Sequence, residues 1–113
     1  MDDTLYAMMV SGDSMSSGGI SNGDVLVVDR TLEAHDGDAV IAVLDGELAI
    51  KRLRHTGGHM LLHADNPQYP DYLPADGTST EIWGVVTGIF HVCAAGKDAS
   101  TLASSYESLS SRR

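Results

Sequence analysis

The sequence predicts a single domain that is mostly β. Three observations indicate this fold class. The chain has 113 residues, which is enough for one domain with a modest core. Short apolar runs rich in valine, isoleucine and leucine recur along it, as expected of strands. Gly, Asn and Asp residues separate these runs at the positions where turns would join the strands.

The first third of the chain contains two predicted strands. The first lies within residues 1–13, where an apolar run ends at Gly12. The second covers residues 25–28, a continuous apolar run that predicts burial on both faces. Residues 30–34 are expected to make a helical turn that connects this strand to the next.

A β-hairpin is predicted in the middle of the chain. Residues 39–44 and 47–53 flank the dipeptide Asp45-Gly46, which suits a tight turn. A tight turn fixes the register of pairing, and the register decides which face each side chain points to. Three further segments complete the expected order: a short strand at 59–63, a surface loop at 64–72 and a last long strand at 82–90.

Two residues of this framework are candidates for nucleophilic catalysis. A serine hydroxyl such as that of Ser14 becomes nucleophilic when a base takes its proton. Lysine can act as that base if it is neutral, and burial among apolar groups lowers its pKa from ~10.4. Lys51 has such surroundings, with Leu48 and Ile50 close by in an apolar stretch. We therefore interpret Ser14 as a nucleophile and Lys51 as its general base.

The neighbours of Ser14 fit the same interpretation. Gly12 allows the backbone to turn tightly before the nucleophile. A turn through Gly12 and Asp13 can aim consecutive N–H groups at the oxyanion of an acyl intermediate. Met15 is a flexible apolar side chain that could line the pocket. Two ordinary interpretations compete with this one: Gly-Asp-Ser is also common in simple turns, and a lysine in an apolar run often extends its amine to water.

The order and spacing of several segments resemble the LexA/UmuD family of serine–lysine autopeptidases. The resemblance runs from about residue 6 to residue 92 and is greatest to UmuD-like members, which are accessory subunits of DNA polymerase V. The segments that carry it are residues 11–15, 19–29, 37–42, 45–47, 51–53 and 83–86.

This resemblance implies a fold, an activity and partners. The fold would be the LexA/signal-peptidase-like catalytic core of twisted antiparallel strands, with Ser14 and Lys51 in the positions of the family's serine and lysine. Family members form homodimers in the cytoplasm and cut their own chain at an upstream Ala-Gly or Cys-Gly bond, stimulated by a RecA filament on single-stranded DNA. UmuD-like proteins then join a UmuC-like polymerase subunit for synthesis across lesions in the SOS response. No cofactor is implied.

The predicted domain boundaries follow from the extent of the resemblance. Residues 1–96 are interpreted as the peptidase core. Residues 1–9 contain no Ala-Gly or Cys-Gly pair, so we expect the cleavage arm to be missing from this chain. Residues 97–113 are expected to be a Ser-rich tail or a short helix, capped by Asp98 and carrying Leu102, Tyr106 and Leu109 on one face.

Charge and cysteine content narrow the function classes further. The net charge of −9 counts against direct binding of nucleic acid, which needs clustered Lys and Arg. No apolar run approaches the roughly 20 residues of a membrane span. The single cysteine, Cys93, permits no internal disulfide, in agreement with a reducing cytoplasm.

The sequence predicts no metal site. His55, His59 and His63 would share one face of a helix, but Gly57 and Gly58 interrupt that stretch and the surroundings favour strands. Three alternatives to a UmuD-like peptidase stay open at this point. They are the C-terminal domain of a LexA-type or phage-type transcriptional repressor, a non-catalytic docking module and, less consistent with the absent membrane anchor, a signal peptidase.

Overall fold

The computed structural model describes residues 4–74 and 80–91, which form one antiparallel sheet of six strands. This confirms the predicted fold class, a mostly β single domain. A single turn of 3₁₀ helix, Ser16–Gly18, follows the first strand. The strands are β1 Leu5–Met9, β2 Val25–Asp29, β3 Ala39–Leu44, β4 Glu47–Thr56, β5 His59–His63 and β6 Ile82–Phe90.

The last strand in the chain lies in the centre of the sheet. The spatial order is β1-β2-β6-β3-β4-β5, and each neighbouring pair is antiparallel. Strand β6 therefore joins the β1–β2 hairpin to the β3–β4–β5 meander. Its pairing shifts register once against each neighbour, between Val27 and Val28 on β2 and between Ile41 and Ala42 on β3. Such irregularities bend a sheet and increase its twist.

The predicted hairpin of β3 and β4 is confirmed. Asp45 and Gly46 have φ angles of 51° and 80°, as a type I′ turn requires at both central positions. The turn sets a register in which Lys51 lies opposite Val40 and Ile50 lies opposite Ile41. The sequence therefore fixes the place of Lys51 in the sheet through a turn several residues away.

The apolar interior consists of two clusters of buried side chains. The first contains Val10, Met15, Ile20, Leu26, Val28 and Ile41, and it packs beneath the segment that follows β1. The second contains Val40, Ala42, Leu53, Leu62 and Val85. Strand β4 contributes side chains to both clusters, because Ile50 packs against the first cluster and Leu53 belongs to the second. Lys51 therefore stands between two apolar regions of the molecule.

Two expectations about local structure are wrong. Residues 30–32 form bends and residues 33–34 have no regular structure, so the expected helical turn is absent there. The Asp29 carboxylate accepts hydrogen bonds from the Thr31 N–H and hydroxyl at 2.7 and 2.6 Å, which gives the backbone a local alternative to helix. Strand β2 is not fully buried either, since Val27 is half-exposed between buried neighbours. Cys93 and the predicted tail at 97–113 lie outside the described residues.

Candidate active site

Ser14 lies in the loop between β1 and the short 3₁₀ helix. Gly12 has a φ of 96°, a left-handed conformation that side chains other than glycine rarely adopt. The chain then turns through residues 13–16, where the Ser16 N–H donates to the Asp13 carbonyl at 3.1 Å. Ser14 is partly exposed at the middle of this turn. We refer to residues 11–16 as the Ser14 loop.

The start of the Ser14 loop is held by the segment that leads into β2. The Gly12 N–H donates to Asn22 Oδ1 at 2.8 Å, and Val10 exchanges backbone hydrogen bonds with Gly23 and Asp24. The buried Asp24 carboxylate in turn contacts His91 Nδ1 at 2.8 Å. The Gly12 N–H is therefore already engaged. Among the residues that the structure describes, no hydrogen bond takes up the N–H groups of Asp13 and Ser14.

Met15 anchors the loop in the core. Its side chain is 1% exposed, and its sulfur accepts a hydrogen bond from the Asp65 N–H at 3.5 Å. The sequence predicts that Met15 lines the pocket, whereas the structure places its side chain beneath the loop in the core. The cause is the turn, which directs the apolar side chain after Ser14 into the first cluster, away from water.

Lys51 lies on β4 and is partly buried. Burial lowers the pKa of its amine from the ordinary value of a lysine, because desolvation disfavours the charged form. The amine donates a hydrogen bond to the Ile50 carbonyl at 3.2 Å. A neutral amine in this position keeps a lone pair that can accept a proton.

Ser14 and Lys51 line the same cavity, which has a volume of about 290 Å³. Gly12 and Asp13 belong to the lining as well, and Tyr69 contributes from the loop after β5. Most of the remaining wall is apolar and comes from Met8, Met9, Val10, Leu26, Ile41, Leu48, Ala49 and Ile50. Within residues 4–74 and 80–91, no hydrogen bond joins the Ser14 hydroxyl to the Lys51 amine. The catalytic roles of the two residues stay a prediction.

Comparison with known proteins identifies the family. The sequence profile of the Peptidase S24-like family matches residues 1–87, more than half of the chain. The chain belongs to the Peptidase S24-like family. The predicted membership of the LexA/UmuD group is thereby confirmed.

Relatives of this S24-like domain are of two kinds. Protein MucA of Salmonella typhimurium and of Escherichia coli is 48% identical over 84 residues, covering 73% of this chain and 56% of the relative. The LexA repressor of Paracidovorax citrulli is 42% identical over 84 residues, covering 74% of this chain and 38% of the relative. The S24-like domain thus spans about half or less of the relatives it matches.

An ion pair that the sequence does not predict joins β4 to the loop after β5. Arg52, the residue after Lys51, contacts both carboxylate oxygens of Asp65 through Nε at 3.0 and 3.1 Å and one of them through a terminal nitrogen at 2.7 Å. Hydrogen bonding to Asp65 raises the pKa of Arg52, with charge attraction adding to this effect and burial opposing it. Asp65 also packs against Gly18, where an added Cβ would lie 2.9 Å from the Asp65 Cβ.

Asn66 is a second residue that the sequence analysis missed. It follows Asp65 and forms hydrogen bonds with the Ser14 loop. The sequence placed both residues in a surface loop, and the only signal there was Asp-Asn-Pro, which is typical of turns. Nothing in that pattern indicates a contact with residues about fifty positions earlier.

The histidines and the secondary structure bear on metal binding and on membrane insertion. Over the described ranges, no group of three or more His, Cys, Asp or Glu side chains is arranged to hold a metal ion. His55, on β4, and His59 and His63, on β5, lie in strands rather than on one helix. In the same ranges, no helix has the length and apolar character needed to cross a bilayer.

Proposed function

We propose that this S24-like domain is the catalytic core of a self-cleaving serine peptidase, with Ser14 as nucleophile and Lys51 as general base. The observation that supports the proposal most directly is the shared cavity. The two side chains are 37 positions apart in sequence, yet both contribute to its wall, and burial lowers the pKa of the lysine. Lowered lysine pKa values in clefts are typical of functional sites.

The proposed reaction uses each group in turn. The Ser14 oxygen attacks the carbonyl carbon of the scissile peptide, while the neutral Lys51 amine takes the hydroxyl proton. The N–H groups of Asp13 and Ser14 stabilise the oxyanion, since the Gly12 N–H is engaged by Asn22. Lys51 then gives its proton to the leaving amine as the C–N bond breaks. Water, activated by Lys51, hydrolyses the resulting serine ester and restores both residues.

The biological role that we propose is that of a UmuD-like accessory subunit. The identity of 48% with MucA and the resemblance to UmuD-like proteins support this role. A RecA filament on single-stranded DNA would stimulate the self-cleavage. The cleaved domain would then act as a homodimer in the cytoplasm and would join a UmuC-like subunit of an error-prone polymerase in the SOS response. The net charge of −9 favours protein partners over direct contact with DNA.

The second candidate is the C-terminal domain of a LexA-type or phage-type repressor. The identity of 42% with a LexA repressor favours it, and the S24-like domain covers only 38% of that relative. Both candidates use the same cleavage chemistry and differ in what precedes the domain. The sequence upstream of residue 1 in the gene separates them: a helix-turn-helix indicates a repressor, and a short arm indicates a UmuD-like subunit.

Intact-mass measurements test the catalytic assignment. The chain is joined to an upstream arm that contains an Ala-Gly bond, then incubated at alkaline pH, or near neutral pH with activated RecA. We expect wild type and the matched control Ser17→Ala to be cut, and Ser14→Ala and Lys51→Ala to stay whole. Cleavage of Ser14→Ala at the wild-type rate would refute the assignment.

A docking assay addresses the non-catalytic alternative. In cells that lack the natural subunit, the already trimmed chain is supplied as wild type or as Lys51→Ala, and mutagenesis after DNA damage is measured. Equal mutagenesis by the two trimmed chains is expected if cleavage only precedes docking. Loss of mutagenesis by a folded Lys51→Ala chain would show that Lys51 has a role after cleavage.

A further inference from the structure

Asn66 holds the Ser14 loop on both sides of the nucleophile. Its backbone N–H donates to the Ser14 carbonyl at 2.9 Å. Its side-chain Nδ2 donates to the Asp13 carbonyl at 3.1 Å and to the Ser16 hydroxyl at 3.3 Å. Asn66 thus forms hydrogen bonds with three residues of the loop, namely Asp13, Ser14 and Ser16.

The orientation of the Asn66 amide follows from a second set of contacts. Its Oδ1 accepts a hydrogen bond from the Gln68 N–H at 3.0 Å, and its backbone carbonyl accepts one from the Tyr69 N–H at 3.0 Å. Because Oδ1 is occupied by a donor, Nδ2 is the end that faces the Ser14 loop. The hydrogen bonds with Gln68 and Tyr69 therefore orient Asn66 independently of its contacts with the Ser14 loop.

Asn66 is also connected to the strand that carries Lys51. Its neighbour Asp65 is 10% exposed and forms the ion pair with Arg52, which follows Lys51 on β4. The Asp65 N–H donates a hydrogen bond to the sulfur of Met15, the residue that follows Ser14 in the sequence. A continuous series of contacts therefore runs from β4 through Asp65 and Asn66 to both sides of Ser14.

We propose that Asn66 is a positioning residue for the serine nucleophile, setting the Ser14 hydroxyl against the Lys51 amine. The proposal rests on the proposed catalytic roles of Ser14 and Lys51. Asn66 itself touches only the loop, so its contribution is to geometry. Small errors of position are costly in such sites, since a displacement of about 1 Å can reduce a rate roughly a hundredfold.

An isosteric substitution isolates this contribution. Asn66→Asp keeps the size of the side chain and the acceptor for the Gln68 N–H, but it replaces the Nδ2 donor with a carboxylate oxygen that faces the Asp13 carbonyl. The backbone bond to Ser14 survives the change. Gln68→Ala is the matched control, because the side chain of Gln68 is exposed in the same surface loop.

The experiment measures how fast Ser14 reacts with a fluorophosphonate probe, which needs no recognition of a peptide. The whole S24-like chain is labelled at several pH values, at a temperature below its melting temperature. Labelling is followed by intact mass. For Asn66→Asp we expect the limiting labelling rate to fall roughly tenfold or more, with little change in the concentration of probe that gives half of that rate. Because Asn66→Asp adds a negative charge to the side of the Ser14 loop, the pH dependence is compared in Asn66→Ala, where the pH at which labelling is half-maximal should stay unchanged. Gln68→Ala should label like wild type.

The outcomes distinguish failure of the positioning role from failure of the nucleophile assignment. Labelling of wild type at Ser14 with equal labelling of Asn66→Asp would overturn the positioning role alone. Wild type that is not labelled at Ser14 would overturn the nucleophile assignment and the positioning role with it. If Asn66→Asp does not fold, Asn66→Ala replaces it with the same criteria, because it removes the donor without adding a charge.

Discussion

Replacing Asp65 with asparagine tests whether the ion pair between Arg52 and Asp65 stabilises the fold. The side chains of Arg52 and Asp65 are 21% and 10% exposed, and both carboxylate oxygens are engaged by the guanidinium. Asparagine preserves the shape and one acceptor oxygen. The change therefore removes the negative charge and leaves the guanidinium partly buried beside a neutral partner.

The expected loss of stability follows from this burial. Exposed ion pairs contribute about 0.2–1 kcal/mol, whereas removing one partner of a buried pair costs about 3–5 kcal/mol. A pair with these exposures belongs between the two ranges, so we expect Asp65→Asn to lower the free energy of unfolding by about 2 kcal/mol. For a domain of this size, that loss corresponds to a melting temperature lower by roughly 8 °C.

Urea and thermal unfolding at neutral pH measure the loss. The fluorescence of Trp83 reports the state of β6, and circular dichroism reports the sheet. Asp71→Asn is the control, because Asp71 is 38% exposed and its hydrogen-bond partner, His63, is 34% exposed. We expect that control to lose less than about 1 kcal/mol.

A double-mutant cycle with Arg52→Met separates the pair from each residue's other contacts. We expect a coupling energy of about 1–2 kcal/mol between the two positions. The reasoning would be refuted if Asp65→Asn unfolded like Asp71→Asn, or if the coupling energy were close to zero.

Three further substitutions have expected outcomes. Lys51→Met should abolish cleavage in the mass assay, yet its free energy of unfolding near pH 7 should be at least that of wild type. The lowered pKa of Lys51 means that the folded chain holds the lysine proton less tightly than the unfolded chain does. The charged lysine therefore lowers the free energy of unfolding at pH values below its folded pKa. This loss of stability disappears as the pH rises toward ~10.4, the pKa of an unperturbed lysine. Wild-type cleavage should accordingly rise about tenfold per pH unit below the folded pKa of Lys51 and then level off; a flat profile would contradict Lys51 as the base. Gly18→Ala should lower the free energy of unfolding in urea by about 1–3 kcal/mol, because the new Cβ would collide with the Asp65 side chain. Its control, Ser17→Ala, should change the free energy of unfolding by less than about 0.5 kcal/mol. Gly46→Ala should cost about 1 kcal/mol or more, since φ is 80° there; unchanged unfolding would show that the turn tolerates a side chain.

The parts of the fold that depend on neighbouring residues were predictable from the sequence. Asp45-Gly46 has the chemistry of a type I′ turn, and the apolar runs on either side have the length of strands, so the β3–β4 hairpin followed directly. The same reasoning failed at residues 30–34, where the Asp29 side chain bonds to Thr31 and the backbone bends. Helical propensity is a weak guide where a local side-chain hydrogen bond competes.

The supporting contacts of the candidate site could not be predicted in the same way. Ser14 and Lys51 were found through their residue types and the family resemblance. Asn66 and Asp65, by contrast, lie in a loop whose composition indicates only a turn. Their partners are set by how β4, β5 and the Ser14 loop come together in space, which no local pattern encodes. Met15 shows the same limit, since the direction of its side chain depends on a turn of the folded chain.

The order of strands in the sheet has a consequence for synthesis on the ribosome. The cavity takes one wall from the end of β1 and another from β4, and in the sheet these two regions are connected through β6, which is made after both. Strand β6, Ile82–Phe90, is therefore the last strand of the sheet to leave the ribosome, after the residues that carry Ser14 and Lys51. The sheet of six strands can therefore close only after its central strand has been translated.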